Sequence, residues 1–197
     1  MSESDAAADE RAHRGEILLA LARGSVARAL RLGEESVVDR RDEPWLAAPG
    51  ATFVTLMQGE ALRGCIGTLE ADRPLAEDVR ANARAAAFRD PRFAPVTRQD
   101  FAWIRFEVSL LAPALPLPPF VSEEEALAEL RPGVDGVIFE HYGLRSTFLP
   151  QVWEQIPDPH QFLAQLKRKA GLPAATPWSR EMRLSVYEVE KWKEEGE

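Results

Sequence analysis

Cys65 is the one cysteine of this 197-residue chain, and it stands between two glycines in Leu62-Arg63-Gly64-Cys65-Ile66-Gly67. A thiolate is a strong nucleophile, and a cation beside a cysteine, here Arg63, favours the thiolate over the thiol. Glycine lets a ligand or another stretch of backbone approach closely, and backbone N–H groups freed nearby can hold a small anion. The hexapeptide therefore admits a catalytic pair, Cys65 with Arg63, framed by Gly64, Ile66 and Gly67 as ligand contacts. It equally admits a cysteine serving as a small hydrophobe, with glycines that mark a bulge or tight packing. A cysteine nucleophile needs a base, and the chain has three histidines. His13 falls in a helical pattern, His141 in a turn and His160 in a first helical turn, and each reads more simply as a surface residue.

Two further segments carry polar groups in usable places. Arg89-Asp90-Pro91-Arg92-Phe93 is a turn whose two arginines can reach a carboxylate or phosphate, and Asp90 and Arg92 are candidate ligand contacts. The structural alternative has Asp90 holding backbone N–H groups. Ser146 to Glu154 is mainly core-like, but its Ser146 and Gln151 can line a cleft. One cysteine and three dispersed histidines offer no metal-ligand spacing, and no phosphate loop, nucleophile elbow or dinucleotide fingerprint occurs, so no metal and no cofactor is expected.

These residues must be positioned by a framework, and periodicity supplies one. Ile17, Leu18, Leu21, Val26 and Ala29 recur at three- and four-residue spacing, which predicts a helix over 9–32 stopped by Gly33. Thr52 to Met57 and Ala61 to Leu69 read as a hairpin around Gln58-Gly59-Glu60. Asp72-Arg73-Pro74 opens a helix to Phe88, with Asp72 as N-cap. Ile104, Phe106, Val108 and Leu110 alternate with polar residues, the mark of a half-buried strand. The proline-rich segment 113–119 is extended and lacks regular hydrogen bonds. Ser122 with Glu125 makes a capping box, residues 137–149 read as a second hairpin, and Asp158-Pro159 caps a helix ending at Gly171. Met182 to Val186 closes the chain as a strand. Hairpins rather than repeated βαβ units predict an α/β (α+β) fold with a mixed, largely antiparallel sheet flanked by helices.

Composition limits the function classes. Hydrophobic residues make up 45% of the chain, enough for a core without a metal or disulfide staple. A lone cysteine and an acidic N-terminus without an apolar stretch point to a reducing, cytoplasmic setting rather than secretion or a membrane. The net charge of −8 repels nucleic acid. Of the 24 cationic residues 20 are arginine, which leaves room for an arginine-lined site for a small anion.

Four segments in order, Leu62-Arg63-Gly64-Cys65-Ile66-Gly67, Asp90-Pro91-Arg92-Phe93, Gly133-Val134-Asp135-Gly136-Val137 and Phe148 to Glu154, resemble the AMMECR-domain family, whose prokaryotic members are called AmmeMemoRadiSam system protein A. The likeness spans residues 14–190. It implies two unequal subdomains around an antiparallel sheet, a functional region at Arg63, Gly64, Cys65 and Gly67, and association with Memo-like proteins and a radical SAM enzyme. It implies no particular reaction. The combined expectation is a disordered segment over residues 1–8 and one domain over 9–197, with a smaller subdomain near 112–150. Its function is that of a small-molecule-binding or catalytic subunit with a pocket at Cys65, or else of a non-catalytic adaptor docking on such partners.

Overall fold

A computed structural model describes residues 3–32 and 43–195. It divides the chain into two compact units, Met1–Leu110 with Glu190–Glu197, and Leu111–Val189.

The first unit begins with α1 (Glu3–Ala29), followed by a short 3-10 turn (Pro44–Ala47). The helix starts well before the apolar periodicity does, and so takes in most of the segment expected to be disordered. The Gly33 stop falls outside the described residues. Strands β1 (Ala51–Gln58) and β2 (Ala61–Gly67) form the expected antiparallel hairpin, with Gly59 turning at φ 59°. Helix α2 (Leu75–Phe88) follows, then the single turn α3 (Arg98–Phe101) and strand β3 (Ile104–Leu111). Asp72 is not the cap of α2. Pro74 occupies that position, and its carbonyl accepts the N–H groups of Glu77 and Asp78.

In the second unit β4 (Leu115–Pro116) is the middle of the proline-rich segment, and it does pair, with Leu115 opposite Val186. Helix α4 (Glu123–Ala128) has Ser122 as its cap, accepting the Glu125 N–H, while the Glu125 carboxylate takes the N–H of Val121. Strands β5 (Gly136–His141) and β6 (Leu144–Phe148) pair antiparallel across Tyr142 (φ 45°) and Gly143 (φ 82°). The turn α5 (Val152–Gln155) leads to α6 (Pro159–Lys169), capped by Asp158 through the Gln161 N–H and followed by Gly171 at φ 94°. Strand β7 (Arg183–Tyr187) ends this unit's sheet, and β8 (Val189–Lys193) returns the chain to the first sheet. The second unit therefore runs to Val189, far past the expected boundary near 150, because α6 and β7 complete its core.

The strand orders are β2-β1-β3-β8 and β4-β7-β5-β6. The fold is α+β, and the β1–β2, β4–β7, β5–β6 and β5–β7 pairs are antiparallel. Each sheet has its own core. In the first, Leu18, Val26, Val54, Leu56, Val79, Ile104 and Phe106 are sealed together between the sheet and helices α1 and α2. In the second, Phe139, Phe162, Leu163, Leu166 and Leu184 are, with Trp153 stacked on Phe162 at 3.6 Å. Each such side chain contributes about 1.5–3 kcal/mol by leaving water. Among the described residues no helix is long and apolar enough to cross a membrane.

Candidate functional site

The Cys65 hexapeptide is β2, an edge strand of the first sheet. Strand alternation sends Gly64 and Ile66 to the helix-covered side and Cys65 to the other. Gly64 lies opposite Leu56, and a Cβ there would sit 2.2 Å from the Ala86 carbonyl oxygen, so only glycine lets α2 press on the strand. At Gly67 a Cβ would meet the Phe53 ring at 2.2 Å. The close approach at both glycines is thus made by the protein's own neighbours. Ile66 packs against the first core.

Register shifts between Leu56 and Met57, which face Gly64 and Leu62, so Arg63 is the extra residue of a bulge. Its guanidinium donates to the Ala94 carbonyl at 2.6 Å and the Pro95 carbonyl at 3.4 Å. Asp100 stands 3.7 Å from it. Asp100 is itself held below the usual carboxylate range, chiefly by the Thr97 N–H and hydroxyl of the α3 capping box and lastly by Arg63. These contacts tie β2 to the segment before α3.

An outward-facing edge residue leaves its N–H and C=O unpaired, which invites aggregation unless something covers them. At Cys65 the turn 90–92 does so. Asp90 Oδ2 accepts the Cys65 N–H at 2.9 Å, and Arg92 Nη2 donates to the Cys65 carbonyl at 3.3 Å. The two side chains are joined to each other, Arg92 Nη2 to Asp90 Oδ2 at 2.7 Å and Nε to Oδ1 at 2.9 Å. Asp90 also takes the Arg92 N–H at 3.1 Å. Its carboxyl is held far below its ordinary range, first by the Arg92 guanidinium and then by the N–H groups of Cys65 and Arg92, against the opposing effect of burial. Arg92 is correspondingly raised by Asp90.

The thiol is half-buried, and the Thr55 hydroxyl donates to Sγ at 3.3 Å from the facing strand. Of the groups bonded to Cys65, only Asp90 is a base in kind. It is held ionised and engages the backbone, so it is a poor acceptor for a thiol proton. His13 stands on α1, 3.5 Å from Glu43, and His141 and His160 belong to the second unit. Ser146 and Gln151 are also in the second unit. Ser146 is buried and donates to the Leu166 carbonyl at 2.7 Å, and Gln151 precedes α5.

Sequence reasoning missed a polar cluster beside this strand. Asp78, 1% exposed, accepts the Thr52 N–H at 2.8 Å and the hydroxyls of Thr52 at 2.6 Å and Thr68 at 2.7 Å. Arg73 Nε at 2.9 Å and Asn82 Nδ2 at 2.9 Å complete its shell. The cluster pins α2 to the far end of the β1–β2 hairpin. The available signal was Asp78 and Asn82 four apart on the otherwise apolar face of a helix. Among the described residues no three metal-ligating side chains come together.

Residues 19–192 match the AMMECR1 family model. A protein of Aeropyrum pernix is 37% identical over 190 residues, covering 91% of this chain and 78% of its own. One from Methanothermobacter thermautotrophicus is 38% identical over 151 residues, covering 73% of this chain and 75% of its own. The crystal structure of an uncharacterised protein, PH0010 of Pyrococcus horikoshii, superposes with a TM-score of 0.81 at 32% identity, covering 92% of this chain and 91% of that one. The match of family model, relatives and fold over nearly the full length establishes that this chain belongs to the AMMECR1 family.

Proposed function

We propose that the protein is a non-catalytic accessory subunit. Its first unit holds a small polar or anionic ligand at the strand edge around Cys65. Its second unit docks on a partner of the Memo-like or radical SAM class, the AmmeMemoRadiSam arrangement that the family resemblance implies. The observation that carries this reading is the bonding of Cys65. Both of its backbone polar groups are committed to Asp90 and Arg92, and its one neighbouring carboxylate is held ionised. The Arg92 side chain remains 54% exposed, and its planar fork suits an oxyanion. In the second unit Leu115, Val121, Val134, Tyr142 and Leu144 are exposed large hydrophobic side chains, which supports docking there.

One observation favours a second reading, in which Cys65 is a nucleophile: the Thr55 hydroxyl donates to Sγ, and such a bond stabilises developing negative charge. Stopped-flow mixing with p-nitrophenyl acetate separates the two. The accessory reading expects no acylation burst and unchanged co-elution of Cys65→Ser with a Memo-like partner from the same organism. A stoichiometric burst that vanishes in Cys65→Ser would establish the nucleophile instead. Failure of the wild-type chain to co-elute with either partner class would remove the docking half of the proposal.

A further inference from the structure

A second place in the first unit collects positive charge, away from Cys65. A cleft of about 170 Å³ opens between α1 and α2, and its walls include Gly24, Ser25 and Arg28 from α1 and Arg80 and Arg84 from α2. Spacings of three (Ser25, Arg28) and four (Arg80, Arg84) put each pair on one face of its helix, so three arginines line one space. None of the chain's 32 acidic residues is among the lining residues. Arg23 meets Glu194, Arg73 meets Asp78 and Arg92 meets Asp90 in the same unit. Arg28 and Arg84 have no carboxylate partner among the described residues.

The cleft is also held in shape. The Ser25 hydroxyl, buried at the helix interface, donates to the Arg80 carbonyl at 3.0 Å and accepts from Arg84 Nη1 at 2.9 Å. One hydroxyl therefore ties the two helices together and fixes Arg84 at the wall. Gly24 keeps a side chain off the adjoining surface, although glycine inside a helix costs about 0.5–1 kcal/mol relative to alanine. The space equals roughly six water volumes, enough for one small metabolite. Like charges around it repel one another, and a bound oxyanion reverses the sign of that interaction while meeting the guanidinium forks in bidentate geometry.

From this cleft we infer that the protein has an anion-binding site between α1 and α2, built on Arg28, Arg84 and Ser25 with Arg80 as its third wall, for a small metabolite bearing a phosphate or carboxylate group. The site is independent of the ligand proposed at Cys65. Isothermal titration calorimetry of the full chain at low ionic strength, with inorganic pyrophosphate and separately with citrate, tests it. Saturable binding of either probe that persists in Arg92→Gln is expected. Arg28→Gln and Arg84→Gln should each weaken it by about tenfold, the loss of one charge-assisted contact, while Arg92→Gln leaves it unchanged. Ser25→Ala, which keeps every charge but frees Arg84, should weaken it less. Binding of pyrophosphate alone identifies a phosphate ligand, and of citrate alone a carboxylate. Absence of binding by both probes overturns the inference. So does wild-type affinity in the Arg28→Gln/Arg84→Gln double variant, or a loss in Arg92→Gln equal to that in Arg84→Gln.

Discussion

Two buried aspartates, one in each unit, do similar chemistry to different ends. Asp90 and Asp135 each have a side chain only 1% exposed, and each is gripped by an arginine more than half exposed, Arg92 and Arg131. Asp135 works locally. It accepts the Arg131 N–H at 2.8 Å and that residue's Nη2 at 2.6 Å, closing the loop that leads into β5. Arg131 also reaches Glu188 at 3.0 Å. Asp90 instead reaches a backbone N–H on a separate strand, that of Cys65. The first interaction staples a turn, and the second covers the open edge of a sheet. An aspartate–arginine pair thus says little by itself, and the backbone group it takes decides what it does.

The sharpest way to break this comparison is to remove each carboxylate. Asp90→Ala strands a buried N–H and an arginine together and is expected to cost about 3 kcal/mol, read from urea unfolding midpoints. Asp135→Ala should cost less, about 1–2 kcal/mol, because its partners lie in one short loop that can relax into water. Equal losses would mean that edge and turn are energetically alike. Between these falls Gly64→Ala, at about 2 kcal/mol, since the added methyl meets the Ala86 carbonyl and pushes α2 off the strand. A neutral result there would show that α2 can shift freely over β2.

The units should also differ in which extreme of pH weakens them. Asp90 has a depressed folded pKa, so its contribution is complete above the unfolded value of about 4 and is lost as pH falls toward the folded one. Burial raises Tyr187 in the second unit from 10.0 to about 12, with the Thr147 hydroxyl partly opposing. Its contribution is complete below pH 10.0 and is lost as pH rises toward about 12. Denaturant titrations at acid and alkaline pH check this. Asp90→Ala should flatten the acid limb, and Tyr187→Phe the alkaline one.

Much of the framework was legible because it obeys short-range rules. The β1–β2 hairpin, α2, β3, the β5–β6 hairpin and α6 all follow from alternation, helical spacing, glycine turns and caps such as Asp158. What was missed lacks such a signature. Only Trp192 is buried in β8, so no alternation marks it as a strand. Turns α3 and α5 have four residues each, too few to show a period. The boundary expected near 150 falls at a hairpin's end, while the second core draws on Phe162, Leu166 and Leu184 farther along. In the candidate site, Cys65, Asp90 and Arg92 were all singled out from sequence, but their mutual bonds were not. A bulge at Arg63 and a contact between residues 25 apart are set by sheet pairing, which no local pattern encodes. The structural alternative for Asp90, that it holds backbone N–H groups, is the arrangement present.

The most direct test of the central claim, that Asp90 and Arg92 cover the sheet edge at Cys65, is amide hydrogen exchange at Cys65 measured by NMR in wild type, Asp90→Ala and Asp135→Ala. Protection at this amide should fall in Asp90→Ala by a larger factor than at the Val54 amide in the same sheet, about a hundredfold overall, and should stay at the wild-type level in Asp135→Ala. A Cys65 amide that exchanges in Asp90→Ala as slowly as in wild type would contradict the account.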